Sequence, residues 1–336
     1  MDKSKQIMYL KLVMVMMYSC FPCKIWNTTK RKTKPKVTVT VYDIADYSPV
    51  ATESTEDNIL EAAPEFTRVH PLTDDKTHLI LVKNIHNGKF GVEKISKGKQ
   101  YDHRLWKEWF FINSCQELKI KGIIKCYHYV SNGEIREASS YFMEYCNGGD
   151  LFDYIDNIEK LESYSKGSKI DKYIKRFPQI LNIALQLSHT LNKLHTHNMI
   201  HFDIKPDNIL IKKDHSKIET VLADFEFCEI LGHNQPDSFY KSKGTVSYVD
   251  PELMSATKEN RVSGKPCDVY SLGVTLWCVA FHSYPYYASD APWQELPIQY
   301  HRIAKDKFVN LLIDMIACPQ YKRPTMNEVY NRIKEL

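Results

Sequence analysis

Glycine is scarce in this 336-residue chain. It occurs 12 times, about half of what an average usage near 7% would supply, so any glycine-rich phosphate-binding loop is short or missing. After the N-terminal stretch Ile7–Cys20 no segment approaches 18 uninterrupted apolar residues, so the body does not span a membrane. Cysteine lacks a pattern. There are nine, and Cys20 and Cys23 form the only close pair, with no second pair to complete a zinc site. The odd number points to reduced thiols, not a disulfide framework. No internal repeat is visible, and a content of 43% hydrophobic and 26% charged residues excludes collagen-like and wholly disordered chains.

The charge is unevenly placed. Residues 1–36 hold nine Lys/Arg against Asp2 alone, so the formal +4 of the whole chain divides into +8 here and −4 (36 basic, 40 acidic) beyond. A basic tail on a mildly acidic body suits contact with membrane lipid or another polyanion, and a solvated linker is the simpler reading. The body carries no sign of nucleic-acid binding. Ile7–Cys20 follows Lys3 and Lys5 like the apolar part of a cleaved signal peptide or an anchor, yet Lys11 cuts its clean run to Leu12–Tyr18. A cytoplasmic chain is the reading that reduced thiols favour, with a secreted, exported or membrane-associated one as the alternative. Residues 1–65 turn from basic to acidic without sustained periodicity and read as a mostly flexible extension.

From Phe66 the pattern becomes regular. Phe66–Leu72, Thr77–Ile85 and Lys89–Ser96 are strand-like runs separated by a TDDK and an HNG turn, an antiparallel meander. Asp102–Leu118 has Leu105, Trp109, Phe110 and Ile112 at helical spacing, with Glu108 among them. Ile123–Val130 and Ser139–Tyr145 predict two further strands, and Asn157–Arg176, polar and lysine-rich, reads as an insert or extended loop. Pro178–His197 carries one apolar stripe of Ile180, Ile183, Ala184, Leu187, Leu191 and Leu194 and predicts a buried-faced helix. Short strands follow near Ile209–Ile211 and Val221–Ala223, then helices to the end. A small β-rich part with one helix, about 66–145, followed by a larger helical part, about 146–336, is an α+β architecture.

Chemistry concentrates after that helix. His201-Phe202-Asp203-Ile204-Lys205-Pro206-Asp207-Asn208 sets an Asp, a Lys and an Asn on one tight loop, and Asp224 stands sixteen residues further on. Phosphoryl transfer uses such a set: a carboxylate orients the attacking hydroxyl, an ammonium neutralises charge on the transferred group, and an amide oxygen and a second carboxylate hold magnesium.

These segments resemble the protein-kinase signature set: HFDIKPDN the catalytic loop, LADFE the metal-binding DFG element, SYVDPE the APE segment, DVYSLGV the buried helix whose Asp268 clamps the catalytic loop, and KRPT the source of an Arg323 that pairs with Glu252. The resemblance covers Phe66–Leu336 and implies the bilobal kinase fold, ATP and Mg2+ as cofactors, and the roles of Asp203 and Lys205 in transfer and of Asn208 and Asp224 as metal ligands. Lys205 and Thr245 of KGTVSY resemble serine/threonine kinases, which implies a protein substrate with a Ser or Thr acceptor. MEYCNGGDLFDYI looks like the hinge, with Met143 as gatekeeper, backbone groups of Glu144 and Cys146 toward adenine, Asp150 near the ribose and Leu210 beneath the ring.

Three departures stand out. The first strand pair is joined by PLTDDKT (Pro71–Thr77), which has no glycine. HNGKFG (His86–Gly91) is the rival position for a degenerate glycine loop, but it leaves only seventeen residues before Glu108, too few for two strands and a helix start. KFGVEKIS is therefore the third strand, with Lys94 as the phosphate-binding lysine paired with Glu108. Lys97 remains its rival, and alternation favours Lys94, which shares a strand face with Val92. Phe202 replaces the arginine that contacts a phosphorylated activation loop, so phosphorylation of Ser238, Tyr240 or Ser242 matters less. Glu226 replaces the glycine after Asp-Phe, removing a φ-permissive position and adding a carboxylate. The missing glycine loop, the Phe-x-Val-x-Lys strand and the arginine-free loop give a weaker resemblance to the apicomplexan FIKK kinases. Two functions follow, an active serine/threonine kinase or a pseudokinase that serves as a binding module.

Overall fold

The structure, a computed structural model, describes residues 66–72, 78–131, 138–162, 168–215, 217–231, 237–285, 303 and 305–336. The extension at 1–65 and the core of the glycine-free turn, 73–77, lie outside them. The described chain falls into two compact units. One holds the residues up to Asn113 with Lys125–Tyr145, and the other holds Ser114–Ile124 and most of the chain from Cys146 onward.

The first unit is an antiparallel sheet of β1 (Phe66–Pro71), β2 (Leu79–Asn84), β3 (Phe90–Ile95), β4 (Cys126–Val130) and β5 (Ser140–Glu144), ordered β1-β2-β3-β5-β4, with helix α1 (Asp102–Glu117) as far as Asn113. The HNG turn forms as its residues dictate. Asn84 Oδ1 accepts from the amides of His86 and Asn87 at 3.0 Å each, and Gly88 takes φ +68°, a conformation open to glycine at little cost. The register of β3 against β5 pairs Val92 with Met143 and Glu93 with Phe142. Successive β3 side chains therefore alternate between the two faces, Lys94 with Val92 and Glu93 with Ile95.

The second unit contains α2 (Leu151–Glu162), α3 (Lys169–Thr196), β6 (Met199–Ile200), β7 (Ile209–Asp214), β8 (Lys217–Leu222), β9 (Glu229–Ile230), α4 (Pro251–Ser255), α5 (Gly264–Phe281), α6 (Lys307–Met315) and α7 (Met326–Lys334). β6 pairs with β9 and β7 with β8, both antiparallel. Helix α5 is apolar on nearly every side and is buried along its length, as such a helix must be. The α3 stripe from Ile180 to Leu194 is buried as its spacing predicts.

The expected loop at 157–176 is corrected. Helix α2 runs on to Glu162 and α3 begins at Lys169, nine residues before the proline that reads as its start. Ser168 and Asp171 close a capping box (Ser168 N to Asp171 Oδ2 2.9 Å, Asp171 N to Ser168 Oγ 3.2 Å). Buried Ile170, Tyr173 and Arg176 extend the apolar stripe upstream. The Tyr173 ring contacts Phe177 and Phe281, at 5.6 and 5.1 Å, while its hydroxyl donates to Asp306 at 3.1 Å. That packing offsets the one backbone hydrogen bond that Pro178 cannot make.

Among the described residues the cysteines are free thiols, and no helix is long and apolar enough to cross a membrane.

Candidate active site

The loop from His201 to Asn208 lies between β6 and β7 and is held from beneath by one buried carboxylate. Asp268, fully buried in the second turn of α5, accepts from the amides of His201 (2.9 Å) and Phe202 (2.8 Å), and its Oδ2 also meets His195 Nε2 at 2.9 Å. These bonds sustain an unusual backbone, since Phe202 has φ +65°, a costly region for a bulky side chain. The Phe202 ring is buried with Ile200, Val249, Leu253 and Val262, edge-on to Phe239 at 4.8 Å. Lys243 lies 5.1 Å above it and pairs with Glu229. The residue in the arginine's place is thus an apolar anchor.

Asp203, 3% exposed, is surrounded by donors. Oδ1 accepts from Thr245 N (2.7 Å) and Thr245 Oγ1 (2.8 Å), and Oδ2 from Asn208 Nδ2 (2.8 Å), with Lys205 Nζ at 3.3 Å. Lys205 Nζ donates to Thr245 Oγ1 at 2.7 Å, closing a ring of three side chains, Asp203, Thr245 and Lys205, to which Asn208 is joined through Asp203. Gly244 makes the approach possible. It has φ +91°, and a Cβ there would lie 2.2 Å from the Phe202 carbonyl oxygen. Neither Gly244 nor the His201 contacts were singled out by the motif reading, although a glycine beside Thr245 in so glycine-poor a chain was an available signal.

His201 is fully buried. Its Nδ1 accepts from Asp203 N and its Nε2 faces the Ala223 carbonyl, both at 3.2 Å, so these partners assign the neutral tautomer with hydrogen on Nε2. Burial holds its pKa below the ordinary histidine value, against the opposing pull of Asp268, Asp203 and Asp224.

Asn208 turns its amide nitrogen to both Asp203 O and Asp203 Oδ2, at 2.8 Å each. Its amide oxygen is therefore directed elsewhere. Ala223 N donates to Asn208 O at 2.9 Å, which sets Asp224, next along the chain and at φ +58°, beside the loop's end. An amide oxygen and a carboxylate make the hard-oxygen donor set that magnesium takes. Glu226 is exposed.

The remaining candidates divide between the units. In the first, Lys94 Nζ meets Glu108 Oε1 at 2.7 Å, and Glu108 is 2% exposed. Lys97 is exposed and lies beyond the end of β3. Glu144 uses its amide and its carboxylate on the backbone of Lys125, each at 2.9 Å. In the second, Cys146 is buried, and Asp150 forms an isolated bridge with Leu210. Asp150 Oδ1 also caps α2 by accepting from Asp153 N at 2.7 Å. Burial raises its pKa, and the neighbouring Asp153 and Asp207 charges add to the rise. Arg323 does reach Glu252, at 3.1 Å, but its main partner is the fully buried Asp250, at 2.5 and 3.0 Å.

Comparison with known proteins gives a family and several relatives. The family described as "Protein kinase domain" matches residues 73–332. Serine/threonine-protein kinase ppk34 of Schizosaccharomyces pombe is 32% identical over 174 residues, covering 50% of this chain and 42% of the relative. Serine/threonine-protein kinase Nek2 of Mus musculus is 26% identical over 280 residues, covering 74% and 58%. Myosin light chain kinase A of Dictyostelium discoideum is 28% identical over 201 residues, covering 60% and 59%. The matched region thus spans roughly half of each relative.

Proposed function

The chain belongs to the protein kinase family, and on that premise we propose that it transfers the γ-phosphate of ATP to serine or threonine hydroxyls of a protein substrate. The observation that carries this reading is the closed ring of Asp203, Thr245 and Lys205, with Asn208 bonded to Asp203, which sets a carboxylate and an ammonium side by side as phosphoryl transfer requires. Asp203 accepts from the substrate hydroxyl and orients it for attack, its own position fixed by Thr245 and Asn208. Lys205 places a positive charge where the transferred phosphoryl group gathers negative charge. Lys94, held by Glu108, grips the nucleotide phosphates. Asn208 and Asp224 would hold magnesium, which would supply positive charge against that of the nucleotide phosphates. Backbone groups of Glu144 and Cys146 meet the adenine, Leu210 packs beneath it, and Asp150 lies toward the ribose.

The test is incubation of the chain and its Asp203→Ala variant with magnesium, γ-labelled ATP and a generic basic protein. Label on serine and threonine with the parent, absent with the variant, is the expected result. A pseudokinase is the second reading, favoured by the glycine-free turn Pro71–Thr77 and by Glu226. It predicts no label with either chain, and a melting temperature that magnesium-ATP does not raise would add that the nucleotide is not bound.

A further inference from the structure

The second unit has a pocket of about 220 Å³ close to the loop that holds Asp203. Helix α2 contributes Phe152 and Ile155 to its lining, and the rest includes Pro206, Tyr248, Tyr284 and, from the last turn of α5, Cys278. Two of these rings are turned largely to solvent, Phe152 at 56% and Tyr284 at 51% exposure. Large aromatic rings gathered and exposed at one hollow mark a binding surface, unlike apolar residues scattered singly. The polar groups of the lining are already engaged. Tyr248 and Tyr284 join their hydroxyls at 3.1 Å, and the His282 ring accepts from Arg176. Burial pushes the Cys278 thiol up to about 12, so it is uncharged at neutral pH. The pocket therefore offers an apolar surface. At about 220 Å³ it is smaller than the roughly 300–1,000 Å³ of small-molecule sites, and it suits a single side chain.

Position decides whose side chain that is. Pro206 stands three residues from Asp203, so their Cα atoms are at most about 11 Å apart. Tyr248 stands three residues from Thr245, whose amide donates to Asp203 at 2.7 Å. A substrate chain whose hydroxyl reaches Asp203 covers such a distance in about three or four extended residues. Charge points the same way. Asp153 and Asp207, both exposed, adjoin the lining residues Phe152 and Pro206 in the chain, and Asp150 lies within electrostatic reach of both. The Asp207 charge also reaches the Tyr248 hydroxyl, whereas Lys205, two residues before it, is turned to Thr245 and Asp203. We infer that this pocket receives a large aliphatic or aromatic side chain of the protein substrate, two to five residues from the phosphorylated hydroxyl, and that the carboxylates favour a basic residue beside it. The inference rests on the reading of the chain as a kinase of protein substrates, and it names the class of substrate segment.

The test uses the full chain and peptides that carry one serine in an alanine background, with Phe placed in turn at each position from five before the serine to five after it. Copies with alanine in place of the serine are followed for binding by fluorescence anisotropy, which needs no transfer. The expected result is a preference for Phe over Ala of about tenfold at one position two to five residues from the serine, in kcat/KM and in binding alike. Phe152→Ala, which truncates an exposed ring, should reduce that preference to about twofold or less and leave the rate on the Phe-free peptide unchanged. A Lys beside the Phe should strengthen binding further, and added salt should remove that gain. Equal use of Phe and Ala at every position, or a preference that Phe152→Ala leaves intact, overturns the subsite. So does a preference for Lys alone, or failure of every peptide to bind. Binding with the expected preference but no transfer to any serine peptide would overturn the transfer proposed above and leave the subsite standing.

Discussion

The catalytic loop and the β3 lysine serve the same proposed reaction but are secured in opposite ways. The loop is over-determined: a fully buried Asp268 holds two successive amides, and Asp203 collects four donor contacts from three residues. Lys94 is positioned by the strand pairing and by its ion pair with Glu108. The difference shows where this chain departs from the family pattern and how each departure is absorbed. In the loop, loss of the arginine comes with a replacement, Phe202, that fills a core and meets Lys243. Beside the strands, loss of the glycines at Pro71–Thr77 comes with no replacement that the sequence reveals.

Substitutions break this comparison in order of size. Asp268→Ala leaves the amides of His201 and Phe202 and the His195 ring without their common acceptor, and should cost about 3 kcal/mol or more of stability in urea denaturation, given roughly 1–3 kcal/mol for each buried donor left unpaired. Gly244→Ala drives a methyl group into the Phe202 carbonyl at a positive φ. Strain of about 1–3 kcal/mol is expected, with loss of phosphate transfer if the Thr245–Asp203 contact is displaced.

His201 has a depressed pKa in the fold, so the neutral ring is favoured there and its contribution is fully present above the unfolded value of about 6.5. That contribution is lost as pH falls below this value toward the folded pKa, at up to about 1.4 kcal/mol per pH unit. A His201→Gln variant should show a correspondingly shallower decline in stability between pH 7 and 5 than the parent. A parallel decline in both would remove His201 as the cause.

Smallest is the matched replacement Lys94→Met/Glu108→Leu, which should alter stability by less than about 1 kcal/mol, because an ion pair replaced whole by apolar groups of similar volume is often neutral. A loss as large as that of Asp268→Ala would erase the contrast between the two regions.

What was legible in the sequence follows the same division. Residues that act within one short loop, such as Asp203, Lys205 and Asn208, stand together in HFDIKPDN and are brought together in space. Strand alternation favours Lys94 over Lys97, and the ion pair with Glu108 forms at Lys94. Contacts joining distant positions left weaker traces. Thr245 is 42 residues from Asp203, and the need for Gly244 arises only when those strands of chain meet. Asp250 as the main partner of Arg323 depends on packing around α5, whereas motif spacing pointed to Glu252. The helices across 157–176 were hidden because their polar face dominates the composition, while the buried Ile170, Tyr173 and Arg176 are too few to show a clear stripe.

The claim that the loop performs the transfer while the β3 pair holds the nucleotide is tested most directly by measuring magnesium-ATP affinity and phosphate transfer side by side in Asp203→Ala and Lys94→Met. The account predicts that Asp203→Ala retains binding and loses transfer by roughly 10²–10⁴-fold, while Lys94→Met weakens binding. Transfer unaffected in Asp203→Ala, or unchanged affinity in Lys94→Met, would contradict it.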